Sequence, residues 1–381
     1  MASSQSTASG PKADSAVAAA LLPVGAAYAG APADLLDREG IKTNPDGFPT
    51  VFNPATRTAG GELFMVPSDT SGKTLKKDPF GIYYEVHGKG PIKIVFLMGL
   101  ANSMGGWLPQ VEYFSHATNG NADKYSTLAY DQRGYGCSQV PKGRYRTSDM
   151  GHDLLRLLEH LKWTDKPRQV HLVGVSMGGM ITLELAKIAP ELWASITLVS
   201  TTSGQGRGEK SFIVGLPPLR GVSVITQTLG GAVLGIGTQE HRINQVLELL
   251  FPNAWLSEPH PEDPKGRSRR EVLFEVFDWR FRYSRRAPPV GTLGQIAAVI
   301  THRVKNADLA KINAAIPAIT IVTGDEDHLV NPGNSLHLAK QLPKAKLVQM
   351  KESGHALPLQ RADELNKVIE ETVKLGAERS A

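Results

Sequence analysis

Ser176 lies in the run Gln169-Val-His-Leu-Val-Gly-Val-Ser-Met-Gly-Gly-Met180, between Gly174 and Gly178. The residues before it are apolar and β-prone, and a helix-forming stretch from Met177 to Ala189 follows at once. A serine at such a strand-to-helix turn is lifted clear of a sheet on a strained backbone. Side chains at 174 and 178 would collide across so tight a turn, which is a steric reason for two glycines. A serine hydroxyl is a weak nucleophile unless an imidazole takes its proton. That imidazole in turn needs a carboxylate to fix its tautomer and to stabilise the imidazolium as it forms. Candidates for both lie downstream. The apolar run Ile316 to Gly324 ends in Asp325-Glu326-Asp327, and the short run Ala345 to Met350 is followed by Lys-Glu-Ser-Gly-His355.

Serine, then acid, then histidine is the chain order of α/β-hydrolases rather than of other serine hydrolases. Further motifs support the resemblance. Asp131-Gln-Arg-Gly-Tyr-Gly-Cys-Ser138 is similar to that family's Asp-x-Arg-Gly-x-Gly-x-Ser loop after the fourth strand, and Gly324-x-x-Asp327-x-x-Val330 and Gly354-His355 match its later segments. From about Asp78 to Gly376 the chain resembles the α/β-hydrolase superfamily, in its capped, esterase-like branch. The resemblance implies Ser176 as nucleophile, Asp327 as acid and His355 as base. It disfavours Asp325, which follows the glycine directly and suits a turn, and Glu326. His328 reads as a loop residue.

Acyl chemistry also needs two backbone N–H groups to hold an oxyanion, drawn from separate loops. Met177, next to the nucleophile, supplies one. Leu100 matches the position of the other, in Met98-Gly99-Leu100-Ala101-Asn102. The family commonly has His-Gly where this chain has Met98-Gly99. Because the donor is main chain, the missing imidazole bears on local hydrogen bonding more than on activity. Gly99 leaves room for substrate, and Asn102, Ser103 and Trp107 are expected to shape the acyl site.

These groups require a scaffold that gathers them at one edge. Gly61–Pro67 and Ile82–Gly88 read as opening antiparallel strands. Ile92–Met98, Ser126–Asp131, Val170–Val175, Ala194–Thr201, Ile316–Thr323 and Lys346–Met350 read as a parallel set. The leucines at 154, 155, 157, 158 and 161 form a helical stripe within Asp149–Trp163, and Ala362–Leu375 is expected to be the closing helix. Strands alternating with helices imply right-handed crossovers, hence an α/β fold with a doubly wound, mostly parallel sheet and its site at the strands' carboxyl ends. The pattern changes between Ser203 and Leu309. After Gly215-Leu-Pro-Pro218, helical stretches are expected at Glu240–Leu250, Glu271–Arg282 and Gly294–Val304, where capped relatives carry a helical lid. Arg280, Arg282, Arg285 and Arg286 read as a solvated face. Gln295 and His302, in a Gln-x-x-Ala-x-x-x-His pattern, read as cap packing ahead of substrate contacts. The expected divisions are a low-complexity, disordered arm over 1–58, core over 59–203, cap over 204–310 and core over 311–381.

Composition fits a globular enzyme. The 381 residues are 41% hydrophobic, and 42 basic against 37 acidic residues give a net charge of only +5, without a nucleic-acid motif to accompany it. No apolar run reaches the ~20 residues of a membrane span. Cys137 is the single cysteine and reads as a small packed residue, which excludes an internal disulfide and suits a cytoplasmic setting. Val17–Ala33 is apolar, but Lys12 is offset by Asp14, and Pro23 and Gly25 interrupt the stretch, which argues against a signal peptide. No metal cluster, phosphate loop or cofactor fingerprint is present, and the Asp131 loop lacks the third glycine of a dinucleotide site. The expected partner is a small-molecule substrate, with oligomeric state open. The expected function is a cofactor-independent serine hydrolase acting on an ester, thioester or related acyl bond of a small apolar substrate. The alternatives are carbon–carbon bond hydrolysis, acyl transfer or haloperoxidase-like activity on the same triad, and a hydrolase-fold ligand receptor. Serine at 176 disfavours the epoxide hydrolases and haloalkane dehalogenases, whose nucleophile is aspartate.

Overall fold

The structure is a computed structural model that describes residues 42–43, 49–67, 78–116, 120–204, 238–283 and 289–380. The apolar stretch 17–33, most of the expected arm, the Gly215–Pro218 turn, Arg285 and Arg286 lie outside the described residues, as do the side chains of Arg280 and Arg282.

Ten strands are named in chain order: β1 (Lys42–Thr43), β2 (Pro49–Thr50), β3 (Arg57–Val66), β4 (Phe80–His87), β5 (Ile92–Leu97), β6 (Tyr125–Tyr130), β7 (Val170–Val175), β8 (Trp193–Val199), β9 (Ala318–Gly324) and β10 (Lys346–Met350). The helices are α1 (Leu108–Ser115), α2 (Thr147–His160), α3 (Met177–Ile188), α4 (Gln239–Leu250), α5 (Asn253–Ser257), α6 (Arg269–Tyr283), α7 (Pro289–Thr301), α8 (Asn306–Ala315), α9 (Gly333–Gln341), α10 (Leu357–Gln360) and α11 (Ala362–Ser380).

Eight strands form one sheet in the order β10-β9-β8-β7-β5-β6-β4-β3. β3 runs antiparallel to β4 and β4 to β6, while the remaining neighbours are parallel. All eight strands expected from sequence are present. Parallel strands carry helices on both faces, so their side chains are apolar in both directions. Alternation divides them cleanly. Val95, Leu97, Leu172, Ile196 and Ile321 join a core with Leu154, Leu157 and Ile181 of α2 and α3. Ile94, Phe96, Val173 and Val322 join the opposite core with Phe114 of α1 and with Leu365, Ile369 and Val373 of α11. A third, smaller cluster joins Ile243, Leu247, Phe251, Leu256 and Leu273, all from the segment between β8 and β9. Its described residues include helices over the three stretches expected to be helical.

Two expected boundaries move. The arm was expected to run to residue 58, but Phe52 is fully buried in the second core and β3 already begins at Arg57. Thr50 Oγ1 donates to Glu85 Oε2 at 3.0 Å, His87 Nε2 lies 3.1 Å from the same oxygen and His87 Nδ1 lies 2.9 Å from Thr56 Oγ1, so 50–56 is fastened to the carboxyl-terminal end of β4. No apolar period announces this, because one aromatic and a few hydroxyls provide the attachment. The cap was expected to end at 310, which falls inside α8. Leu309 and Ile312 of that helix are buried in the first core, which assigns α8 to the main body.

Candidate active site

Ser176 sits between the last residue of β7 and the first of α3 with φ 56° and ψ −120°. A non-glycine residue holds such a backbone only when its surroundings over-determine it, and here they do. Its N–H donates to Val199 O at 2.9 Å, while its carbonyl accepts from Gly179 and Met180 N–H and from Thr201 Oγ1. The flanking glycines are required by contact. A Cβ on Gly174 would meet Gly178 O at 2.4 Å, and one on Gly178 would meet Leu97 O at 2.0 Å. The turn is therefore pressed against the end of β5, where the expected oxyanion loop begins.

Asp327 and His355 lie in the loops after β9 and β10. Asp327 Oδ2 is 2.8 Å from His355 Nδ1, and Asp327 Oδ1 accepts the N–H groups of Leu329 and Val330 at 2.9 and 2.8 Å. One carboxylate oxygen is thus fixed by backbone and the other engages the imidazole. With the carboxylate ionised, Nδ1–H donates to it and Nε2 keeps the lone pair needed by a general base. Both side chains are buried. Asp325 is directed elsewhere, accepting Ser353 N–H at 3.3 Å, with Lys351 Nζ at 3.6 Å, and Glu326 is exposed. β7, β9 and β10 run parallel, so their carboxyl ends present Ser176, Asp327 and His355 along one edge of the sheet. No hydrogen bond joins Ser176 Oγ to the His355 ring among the described residues, a contact that commonly tightens only with substrate.

The oxyanion side divides the expected residues. Met177 N–H opens α3 and, as a first-turn amide, has no acceptor within the helix. Gly99 lies against Ser176, where an added Cβ would stand 3.1 Å from Ser176 Cβ and 3.7 Å from its Oγ. Leu100 is partly buried beside it. Asn102 is exposed, and its Nδ2 is 3.6 Å from Met98 Sδ. Trp107 departs from expectation. It is fully buried, 5.1 Å from the Phe96 ring in the second core, because the turn Met104–Trp107 directs its indole inward. Trp107 supports the loop from beneath.

Several residues given no part in the site from sequence hold these loops. Asp131 Oδ1 accepts Met104 N–H and its Oδ2 accepts Cys137 N–H, both at 2.7 Å, and burial pushes its pKa up to about 6. Gln360 Oε1 accepts Gly354 N–H at 2.8 Å while its Nε2 donates to Glu352 O at 2.9 Å, clasping the histidine loop from both sides. The helical insertion reaches the same loop through Leu250 O, which accepts the N–H groups of His355 at 2.9 Å and Ala356 at 3.2 Å. Gln295, expected to be cap packing, is fully buried and bridges two core loops. His302 does pack, with Nδ1 2.8 Å from Thr147 Oγ1. A buried side chain spanning loops far apart in sequence leaves no local periodicity, and the only signal was a polar residue on a helix's apolar side. Among the described residues, no group of three or more His, Cys, Asp and Glu side chains could hold a metal ion. No described helix is long and apolar enough to cross a membrane.

Residues 93–221 match the family model described as the alpha/beta hydrolase fold. RutD of Azorhizobium caulinodans, named as a carbamate hydrolase, is 33% identical over 288 residues, covering 76% of this chain and 93% of that protein. 3-Oxoadipate enol-lactonase 2 of Acinetobacter baylyi is 32% identical over 137 residues, 36% of this chain and 47% of that protein. Among solved structures, a thermophilic esterase from Thermogutta terrifontis superposes with a TM-score of 0.60 at 17% identity, covering 83% of this chain and 99% of that one, a likeness of fold. The RutD alignment, at 33% identity over 93% of that protein, and the matched family model place this chain in the α/β-hydrolase superfamily.

Proposed function

We propose that the protein is a cofactor-independent serine hydrolase that cleaves an ester or related acyl bond of a small, largely apolar substrate through an acyl-enzyme. The observation that carries this reading is the His355–Asp327 pair, whose carboxylate has one oxygen on Nδ1 at 2.8 Å and the other on two backbone N–H groups. A carboxylate so held fixes one imidazole tautomer and steadies the imidazolium. In the proposed cycle His355 Nε2 takes the Ser176 proton as Oγ attacks the carbonyl carbon. The N–H groups of Leu100 and Met177 hold the oxyanion, and the imidazolium returns its proton to the leaving group. Water then attacks the acyl-serine with His355 again as base, which releases the acid and restores Ser176. The lactonase and carbamate-hydrolase names of the relatives belong to the same reaction class, since each bond is a carbonyl opened by addition and elimination.

The test is turnover of p-nitrophenyl esters together with intact-mass detection of an acyl adduct. Wild-type protein should show both, and Ser176→Ala should lose at least about 10³-fold in kcat with no adduct. Undiminished turnover in Ser176→Ala would overturn the reading.

A further inference from the structure

We infer that Gln295, on the helical insertion, is a positioning residue for the oxyanion loop, an inference that rests on the serine-hydrolase reading above. Its Oε1 accepts the N–H of Ala101 at 3.0 Å, and its Nε2 donates to Arg133 O at 3.0 Å. The partners fix the orientation of the amide, because a backbone N–H can only donate and a carbonyl can only accept. Gln295 is completely buried, its bond to Arg133 O is buried with it, and its bond to Ala101 N–H is partly buried.

The two ends of this bridge are held differently. In its loop, Arg133 is anchored by its own side chain. Its guanidinium makes a buried bidentate pair with Asp153 at 2.6 and 2.5 Å and lies 4.9 Å from the Phe80 ring centre. The helix carrying Gln295 is docked on that loop by contact of backbones, since a Cβ on Gly291 would meet Gly134 O at 2.1 Å. Ala101 is the opposite case. It holds φ 51°, a conformation that an L-residue keeps only when its surroundings impose it. It directly follows Leu100, whose N–H is the proposed second oxyanion donor, and the loop is next tied down at Met104 by Asp131. The Gln295 bond thus fixes the peptide after Leu100 in its strained turn and sets where the Leu100 N–H points. An oxyanion donor acts only when aimed at the position the oxyanion will occupy, and small misplacements cost heavily.

The experiment compares Gln295→Ala and Gln295→Glu with wild type. Three readouts are used: hydrolysis of a short p-nitrophenyl ester, affinity for an alkyl trifluoromethyl ketone, and hydrogen exchange of the amides around Ala101. Gln295→Ala should lower kcat by roughly 10- to 100-fold with KM changed less than about threefold. It should weaken the ketone, whose adduct carries the oxyanion, by a similar factor and accelerate exchange at Ala101. Gln295→Glu keeps an acceptor for Ala101 but loses the donor to Arg133, so it should fall between. It also serves as the near-isosteric variant should the alanine protein fail to fold. A residue that merely fills space would change thermal stability while leaving the ketone affinity and the kcat-to-KM split alone. Unchanged kcat, ketone affinity and exchange in both variants, with an active wild type, would overturn the inference and leave the serine-hydrolase reading intact. A wild type that neither turns over esters nor binds the ketone would overturn the reading on which the inference rests.

Discussion

At position 327 a carboxylate is gripped by two backbone amides and a ring nitrogen, while two residues earlier another carboxylate only steadies a turn. Asp325 and Asp327 are adjacent enough to be confused in sequence, and spacing after Gly324 alone favoured the second. The geometry separates them by partner. Asp327→Asn should therefore lower kcat by roughly 10³- to 10⁴-fold by permitting the wrong imidazole tautomer, whereas Asp325→Asn should cost less than about tenfold. Steady-state kinetics on one ester would check the ranking. His171 supports a separate prediction. It is buried in β7 with Nδ1 2.8 Å from Ser195 Oγ, and burial lowers its pKa from 6.5 to about 4. The folded protein therefore resists a proton that the unfolded chain accepts near 6.5. The stability from keeping this ring neutral is complete above pH 6.5 and is lost as pH falls toward 4, by up to about 3 kcal/mol. Denaturant titrations across that window should show a shallower fall for His171→Asn than for wild type, and equal slopes would contradict it. At this scale the proposed triad could be picked out because its chemistry demands particular types in a particular order, and the structure pairs two of its members, Asp327 and His355. Trp107 was misread because an aromatic beside an oxyanion loop suits a pocket wall and a core equally well. Only packing against Phe96 decides between them.

The elements were legible in proportion to their periodicity. The inner strands β5 to β9 could be read from apolar, β-branched runs, because strands buried on both faces have little other composition open to them. The stripe of α2 was equally plain, with Met150, Leu154, Leu157 and Leu158 buried along one side. The segment 50–56 was not, since its attachment depends on Phe52 and a hydroxyl-to-carboxylate contact without repeating pattern. The insertion was recognised as helical, but its role was conceived as a cover alone. Leu250 O and Gln295 also tie it to the loops that carry His355 and Ala101. Two substitutions distinguish the duties of these elements. Phe52→Ala should cost about 3–5 kcal/mol of stability and leave the relative rates on esters of different chain length unchanged. Phe274→Ala, in α6 against the small cluster that includes Ala356, should change that chain-length profile, because a lid discriminates through pocket shape. Chemical denaturation and an ester panel on both variants would settle the division, and a reversed pattern would contradict it.

For the whole molecule, the sheet's parallel strands end together, and three loops from β7, β9 and β10 bring a strained serine, a gripped carboxylate and a histidine to one edge. Around them a fourth loop after β5 is fixed from below by Trp107 and Asp131 and from the side by Gln295. Topology of this kind follows from alternating strands and helices with right-handed crossovers, which explains how the site's position on the fold could be read before its geometry. The bracing network could not, because its contacts join segments as far apart as Ala101 and Gln295 through buried polar groups. The central claim is that this edge activates Ser176. The most direct measurement is labelling with a fluorophosphonate probe followed by peptide mapping, on native protein, heat-denatured protein and His355→Ala. Stoichiometric modification of Ser176 in the native protein only, abolished by denaturation and sharply slowed in His355→Ala, is the predicted result. Modification at another residue, or labelling of Ser176 at the same rate in His355→Ala, would contradict the account.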